Sequence, residues 1–305
     1  SISFDSIEII SKTSKKIINI KSINKLPLRI KKKVLFDIKN ICKNKKIPGL
    51  KFKNLPLLMG VLNLTPDSFS DGGKFNNRKK ANIQISKMIK FGASIIDVGG
   101  ESTRPGSKTV LKKSEWRRIE KIVKNFKKNY KNICLSIDTR KSDVMIKSLK
   151  YRADLINDVS GFNYDNSSLS KLKKYNIAKV LHHMQGTPNT MQKRPKYRNV
   201  LLDIYDFFEN KIKKIDNKKI IVDPGIGFGK NLKHNLTLIS NISLFHSLGL
   251  PIMIGTSRKR FISQISGEND SKERIGGTVA SVLFLLSQGI QIFRVHNVNE
   301  VKQGI

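Results

Sequence analysis

Between residues 57 and 296 the chain alternates eight short apolar runs, each closed by a polar or glycine-rich break, with seven longer amphipathic segments carrying lysines. The runs span 57–63, 94–99, 133–138, 154–158, 178–184, 219–223, 251–256 and 290–296. The intervening segments lie near 77–91, 113–128, 141–150, 166–175, 201–215, 232–247 and 272–287. Apolar, β-branched runs of this length bounded by Gly, Pro and Asx residues predict buried strands, and the longer segments predict helices. Strands alternating with helices are joined by crossovers, so they lie parallel. Eight such strands over about 250 residues predict an α/β chain, a closed (β/α)8 TIM barrel rather than an open doubly wound sheet.

Residues 1–54 stand outside this repeat. They form a lysine-rich N-terminal extension with no catalytic constellation and no assigned role, and the barrel is expected from residue 55 to 305. Ile7, Ile9, Ile10, Ile17, Ile18 and Ile20 suit helix or strand equally. The first residue is Ser1 rather than Met, so a piece of a longer protein or a processed one is expected, and the chain stops at Ile305, about two turns into the eighth helix. The last helix is therefore expected to be truncated.

Net charge is +36, with 59 Lys and Arg against 23 Asp and Glu. The lysines are spread over every segment and are dense only near the N-terminus. A nucleic-acid binder would gather basic residues and aromatics on one face, so no nucleic-acid partner is expected beyond non-specific charge attraction. No apolar run reaches the roughly 18 residues of a membrane span, and no secretory leader is visible. Cys42 and Cys134 show no metal or redox spacing. A cytoplasmic protein is expected, with no membrane partner.

The polar residues concentrate at one place in the repeat. Asn63, Asp97, Asp138, Asn157 with Asp158, His183, Asp223, Ser257 and His296 each stand at or just after the end of a run. Asp and Asn often cap the following helix, but capping does not require this mixture with His. The C-terminal rim of a barrel is where its site is built, so a polar pocket is the better account. Gly-rich stretches at 71–73, 99–106 and 225–230 offer backbone N–H groups to anions. The last lacks the third glycine of a dinucleotide fingerprint and the Ser or Thr of a P-loop. Arg104, Arg294 and His296 supply charged donors for phosphates. Asp138, Asn157 and Asp223, with Lys259 near, suit a flat heterocycle bearing ring N–H and amino groups. His182 and His183 are consecutive on a strand, so only one can face the pocket.

Eight ordered blocks then resemble the dihydropteroate synthase family. They are Met59–Gly73, Ile96–Gly106, Ser136–Thr139, Ile156–Gly161, His183–Pro188, Asp223–Lys230, Ser257–Lys259 and Arg294–His296. The resemblance covers the chain from Leu57 onward. It implies a transferase of folate synthesis that joins p-aminobenzoate to (7,8-dihydropterin-6-yl)methyl diphosphate, giving 7,8-dihydropteroate and pyrophosphate. It implies that Asp138, Asn157, Asp223 and Lys259 hold the pterin, with Met184 packed on the ring. Arg294 would stack on the pterin and meet the phosphates, and His296 would bind phosphate oxygens. Asn63 would hold Mg2+ with the diphosphate. Thr103, Arg104 and Pro105 would belong to a mobile loop, and Phe228, Ser257 and Lys259 would border the p-aminobenzoate. Asn63, Asp138, Asp223, Lys259, Arg294 and His296 are the catalytic candidates. The family also implies a homodimer, which a shortened last helix would weaken. Asn297 stands where the family usually has Asp, and this exchange is expected to alter the orientation of His296. A related methyltransferase barrel would share the pterin ligands but have no use for the 67–73 loop, Arg294 or His296.

Overall fold

A computed structural model describes residues 4–46, 50, 55–65, 74–104, 106–215 and 219–305, with the backbone alone at 74–77. The expected loop at 67–73 and Pro105 therefore lie outside the described residues.

The chain opens with an antiparallel hairpin, β1 (Ser6–Ile10) and β2 (Lys15–Asn19). A 3-10 turn (Ile20–Lys25) and helix α1 (Leu28–Cys42) follow. Ile18, Ile23 and Val34 give this unit a small core of its own, edged by Ile7, Ile9, Ile20, Leu26 and Ile38. The isoleucines that suit either state are thus divided between the hairpin and the 3-10 turn. α1 is fastened to the rest of the chain by polar bonds. Asn40 Nδ2 donates to the Ser247 carbonyl at 2.9 Å, and Lys33 Nζ reaches Tyr205 Oη at 3.1 Å and Glu209 at 3.3 Å.

The remainder is the expected barrel. Its strands are β3 (Leu57–Asn63), β4 (Ala93–Gly99), β5 (Cys134–Asp138), β6 (Leu155–Asp158), β7 (Ala178–His182), β8 (Ile220–Asp223), β9 (Met253–Ile254) and β10 (Ile292–Val295). All pair in parallel, in the order β8-β7-β6-β5-β4-β3-β10-β9. A single bridge, Val222 to Ile252, joins the two ends of that order and completes the ring. Around it run α2 (Lys74–Lys90), α3 (Lys112–Asn129), α4 (Ser142–Leu149), α5 (Ser168–Leu172), α6 (Val200–Lys213), α7 (Leu232–Ser240), α8 (Arg260–Ser266), α9 (Ile275–Ser287) and α10 (Val298–Gly304).

Local sequence explains these elements. α3 buries Trp116, Ile119, Ile122, Val123 and Phe126, a stripe at helical spacing, against the strands. α6 starts at Asn199, whose side-chain oxygen accepts from Leu201 and Leu202 N–H. Three places differ from expectation. The 166–175 segment yields only the five-residue α5, the 232–247 segment gives the nine-residue α7 and then a 3-10 segment (Ile242–Leu248), and α8 occupies a stretch where the repeat predicts none.

Period two within the strands divides the molecule into shells. Leu58, Leu62, Ile96, Val98, Leu135, Ile137, Ile156 and Leu181 point outward into the helix-facing core. Leu57, Met59, Ile95, Cys134, Leu155, Ala178, Val180, Ile221, Met253 and Ile292 point inward and fill the N-terminal half of the barrel, with Leu50 packed beneath them. Above that apolar floor the inward positions become polar, and there the site is built. No helix among the described residues is long and apolar enough to cross a membrane.

Candidate active site

Asn63, Gly99, Asp138 and Asn157 stand side by side at one register across β3, β4, β5 and β6. Gly99 has no side chain to fill its place in that row. A Cβ there would sit 3.3 Å from Asp138 Cβ and 3.5 Å from Asn63 Oδ1, so the Asn63 amide and the Asp138 carboxyl flank one gap. One layer below, Asp97 is fully buried and acts as a hub. It accepts from Ser136 Oγ at 2.6 Å, Asn157 Nδ2 at 3.0 Å and Arg294 Nε at 2.7 Å. Arg294 reaches from β10 past β3 and gives its other arm, Nη2, to Asp138 Oδ2 at 2.8 Å. Its bonds therefore go to the two carboxylates.

On the opposite wall His182 and Asp223 are register partners on β7 and β8. Asp223 Oδ1 accepts from the Gly225 N–H at 2.8 Å. Lys259 donates its Nζ to the Ile226 carbonyl and lies 4.4 Å from the Phe228 ring centroid. Ser257 Oγ sits 3.1 Å from His296 Nδ1 and accepts the His296 backbone N–H. Between Ser257 and Lys259, Arg258 adopts φ +61°, a left-handed conformation that costs a non-glycine residue about 1–2 kcal/mol. Its N–H is held by Thr278 Oγ1, and its guanidinium grips Asn297 Oδ1 at 2.9 and 2.6 Å. Asn297 thus orients Arg258, while His296 takes its bearing from Ser257. The expected effect of the Asp-to-Asn exchange on His296 is not what the contacts display.

Burial dominates the electrostatics. It pushes Asp138 up to about 7; Arg294 opposes this, while Asp97, Glu115 and Asp158 reinforce it. Asp223 is also raised by burial, against the pull of Lys259. Burial lowers Lys259 to about 7 despite Asp223. For Arg294 burial is outweighed by Asp97 and Asp138, and its proton is held more tightly than usual. His296 is driven down to about 3 by burial and by Arg294, Arg258, Arg104 and Lys259. Its imidazole is therefore neutral near pH 7, not the charged donor that the sequence suggests.

Two strand-end residues face away from the pocket. His183 packs its ring on Phe207 at 4.9 Å, with Nδ1 3.1 Å from Lys230 Nζ. His182 is the inward histidine: its Nδ1 meets the Val159 carbonyl at 2.8 Å, and its ring meets the edge of Phe228. Asp158 also points outward, where Oδ1 accepts from Ser160 N and Oγ. Both faces of these strands are buried, so the apolar pattern carries no parity signal. Of the remaining candidates, Met184 is half-buried at the start of the loop after β7. Thr103 is half-buried and Arg104 exposed, in a loop that touches the Met184 loop through Gly106 N–H to the Pro188 carbonyl at 3.2 Å. The Asp97 hub and its Ser136 partner were legible only as a polar residue inside an apolar run.

Among the described residues no group of three or more His, Cys, Asp or Glu converges as a metal cage. Asn63 offers one hard oxygen at the gap. That fits a Mg2+ ion, which keeps waters and substrate phosphates as its main ligands and takes only one or two protein oxygens.

Comparison with known proteins agrees with this geometry. A family model described as pterin binding enzyme matches residues 59–296. The dihydropteroate synthase of Escherichia coli (strain K12) is 39% identical over 255 residues, covering 82% of this chain and 89% of that protein. A Yersinia pestis dihydropteroate synthase solved as a sulfonamide drug complex superposes with a TM-score of 0.79 at 38% identity, covering 85% of this chain and 95% of that one. A Xanthomonas albilineans dihydropteroate synthase solved with 4-aminobenzoic acid gives 0.77 at 32% identity, covering 83% and 92%.

Proposed function

The chain belongs to the pterin-binding enzyme family, and on that premise we propose that it joins p-aminobenzoate to (7,8-dihydropterin-6-yl)methyl diphosphate, releasing pyrophosphate and 7,8-dihydropteroate. One observation carries the reading: Asp138 and Asn157 on one wall and Asp223 and Lys259 on the other face a shared mouth, with Asn63 and His296 at its edge.

In this reading Asp138, Asn157 and Asp223 accept and donate around the pterin edge, while Lys259 bonds a ring carbonyl or nitrogen. Asp97 fixes Asn157 and Arg294 from below. Met184 packs on the ring. As the C–O bond to the diphosphate breaks, positive charge grows on the pterin and negative charge on the leaving group. The buried carboxylates favour the former. Arg294 and Arg104, with the His296 N–H, favour the latter. The arylamine attacks as a neutral nucleophile and loses its proton as the C–N bond forms, so positioning outweighs basicity. Thr103, Ser257 and Phe228 would supply that positioning. Asn63 is the residue we assign to Mg2+, which when bound would stabilise the charge on the departing pyrophosphate.

The same proposal includes a homodimer, supported by the exposed Leu283 and Phe284 on α9 and Ile265 on α8. It also includes a cytoplasmic setting, consistent with Cys42 and Cys134 being unpaired. Residues 1–54 we read as an extension outside the catalytic barrel. The test is a pyrophosphate-release assay with the dihydropterin diphosphate, p-aminobenzoate and Mg2+. Release that depends on p-aminobenzoate is expected, and none at all would sink the reading.

A further inference from the structure

We propose that Glu101 is a positioning residue for the arylamine half of the reaction, its carboxylate holding both ends of the loop that carries Thr103 and Arg104. The inference rests on the reading above and deepens it. Glu101 lies where the chain leaves β4 for that loop. Its Oε1 accepts the N–H of Val110, where the chain returns towards α3, at 2.8 Å. One side chain therefore ties the chain leaving β4 to the chain entering α3.

The carboxylate is itself held from the neighbouring strand. Arg140 gives Nε and Nη2 to Oε2 at 3.1 and 2.9 Å, and Lys141 Nζ lies 3.0 Å from Oε1. Lys141 also bonds Glu115 Oε2 on α3 at 2.5 Å, and Thr139 Oγ1 bonds Glu115 Oε1. Thr139, Arg140 and Lys141 directly follow Asp138. Gly100 lets α3 close in, since a Cβ there would stand 2.7 Å from the Glu115 carbonyl oxygen. Arg118 caps the Gly100 carbonyl at 2.8 Å, and Tyr164 stacks under Arg140 at 4.2 Å.

Two carboxylates and two cations are thus sealed together, with side-chain exposures of 0–8%. Such a cluster is a poor way to gain stability, because apolar residues of similar volume usually do as well or better. What it supplies is direction. It sets the root of the loop against the strand that presents Asp138, and so sets where Thr103 and Arg104 fall relative to the pterin wall. Loop placement at this scale controls how an arylamine meets the reacting carbon.

The test replaces one complete pair. Glu101→Met with Arg140→Met keeps volume and leaves Lys141 on Glu115, so charge stays balanced. We expect hydrogen exchange across residues 102–110 to quicken about tenfold or more. The KM for p-aminobenzoate should rise about tenfold, while the Kd for a dihydropterin lacking the diphosphate stays within about twofold. Wild-type exchange together with wild-type KM in the folded double variant overturns the proposal, as does a parallel loss of pterin affinity. If that variant does not fold, Arg140→Lys decides. It keeps the charge and loses the two-nitrogen grip, and a KM and an exchange rate both unchanged would overturn the idea. A wild-type protein that releases no pyrophosphate would sink the assigned reaction instead. The exchange measurement uses no substrate, so the two failures are distinguishable.

Discussion

Asp138 and Arg140 are two residues apart, yet they belong to charge clusters of opposite design. Asp138 faces the barrel interior with Asp97 and Asp223, and these three carboxylates meet two cations, Arg294 and Lys259. His296 adds no charge near pH 7. Arg140 faces the helices, where two carboxylates meet two cations and every ion-pair partner among the described residues lies within the group. The interior set keeps surplus acceptors along a gap and holds Asp138 and Lys259 near neutrality in pH. The outer set lowers Glu101 through Val110, Lys141 and Arg140 in spite of burial. Surplus and near-neutral titration mark a place prepared for a ligand, whereas closure marks a fastening.

That contrast can be broken at its strongest point first. Asp138→Ala should cut turnover by about 10²–10³-fold, the cost of two lost charge-assisted hydrogen bonds, while the thermal unfolding midpoint barely moves. Full activity in this variant would remove the pterin assignment. Glu115→Gln should do the reverse. It leaves three charges where four were balanced and should cost roughly 3 kcal/mol of stability in denaturant titration, with pterin affinity unchanged. A loss of affinity without a loss of stability would merge the two clusters into one.

The smallest effect is the dependence on pH. A carboxyl raised to about 7 in the folded state contributes stability that is present below its ordinary range and lost as pH climbs through about 7. The ligand asks for the opposite, since ring N–H groups need the ionised form. Affinity for a diphosphate-free dihydropterin should therefore rise severalfold between about pH 6 and 8 and level off once Asp138 is fully ionised. A flat fluorescence titration across that window would show that Asp138 is not the acceptor.

The barrel was legible because apolar runs alternate with amphipathic segments and break into polar or glycine residues at or just after their ends, a contrast that survives without any tertiary information. Asn63, Asp138, Asn157 and Asp223 could be read for the same reason. The choice between His182 and His183 could not, because strands buried on both faces alternate apolar with apolar. Nor could Arg294 be read as a partner of Asp97 and Asp138. A residue 197 positions away in the chain becomes a neighbour only when the ring closes. Glu101, Glu115, Arg140 and Lys141 were invisible in a different way. In a chain with 59 Lys and Arg, four more charges look like surface, and nothing local distinguishes a sealed lysine from a solvated one. α8 escaped because it is a seven-residue helix set between two recognisable segments.

The joint between β8 and β9 has a mechanical meaning. β9 is two residues long, and among the described residues a lone bridge, from Ile252 just before it to Val222 of β8, closes the ring there, so the hoop is thinnest at that point. The 3-10 segment Ile242–Leu248, which leads into that joint, is where Asn40 of α1 takes hold. Helix α1 thus works as a splint. Its bonds to Ser247, Tyr205 and Glu209 reach no candidate pocket residue, yet they brace the stave on which Ser257 and Lys259 are mounted.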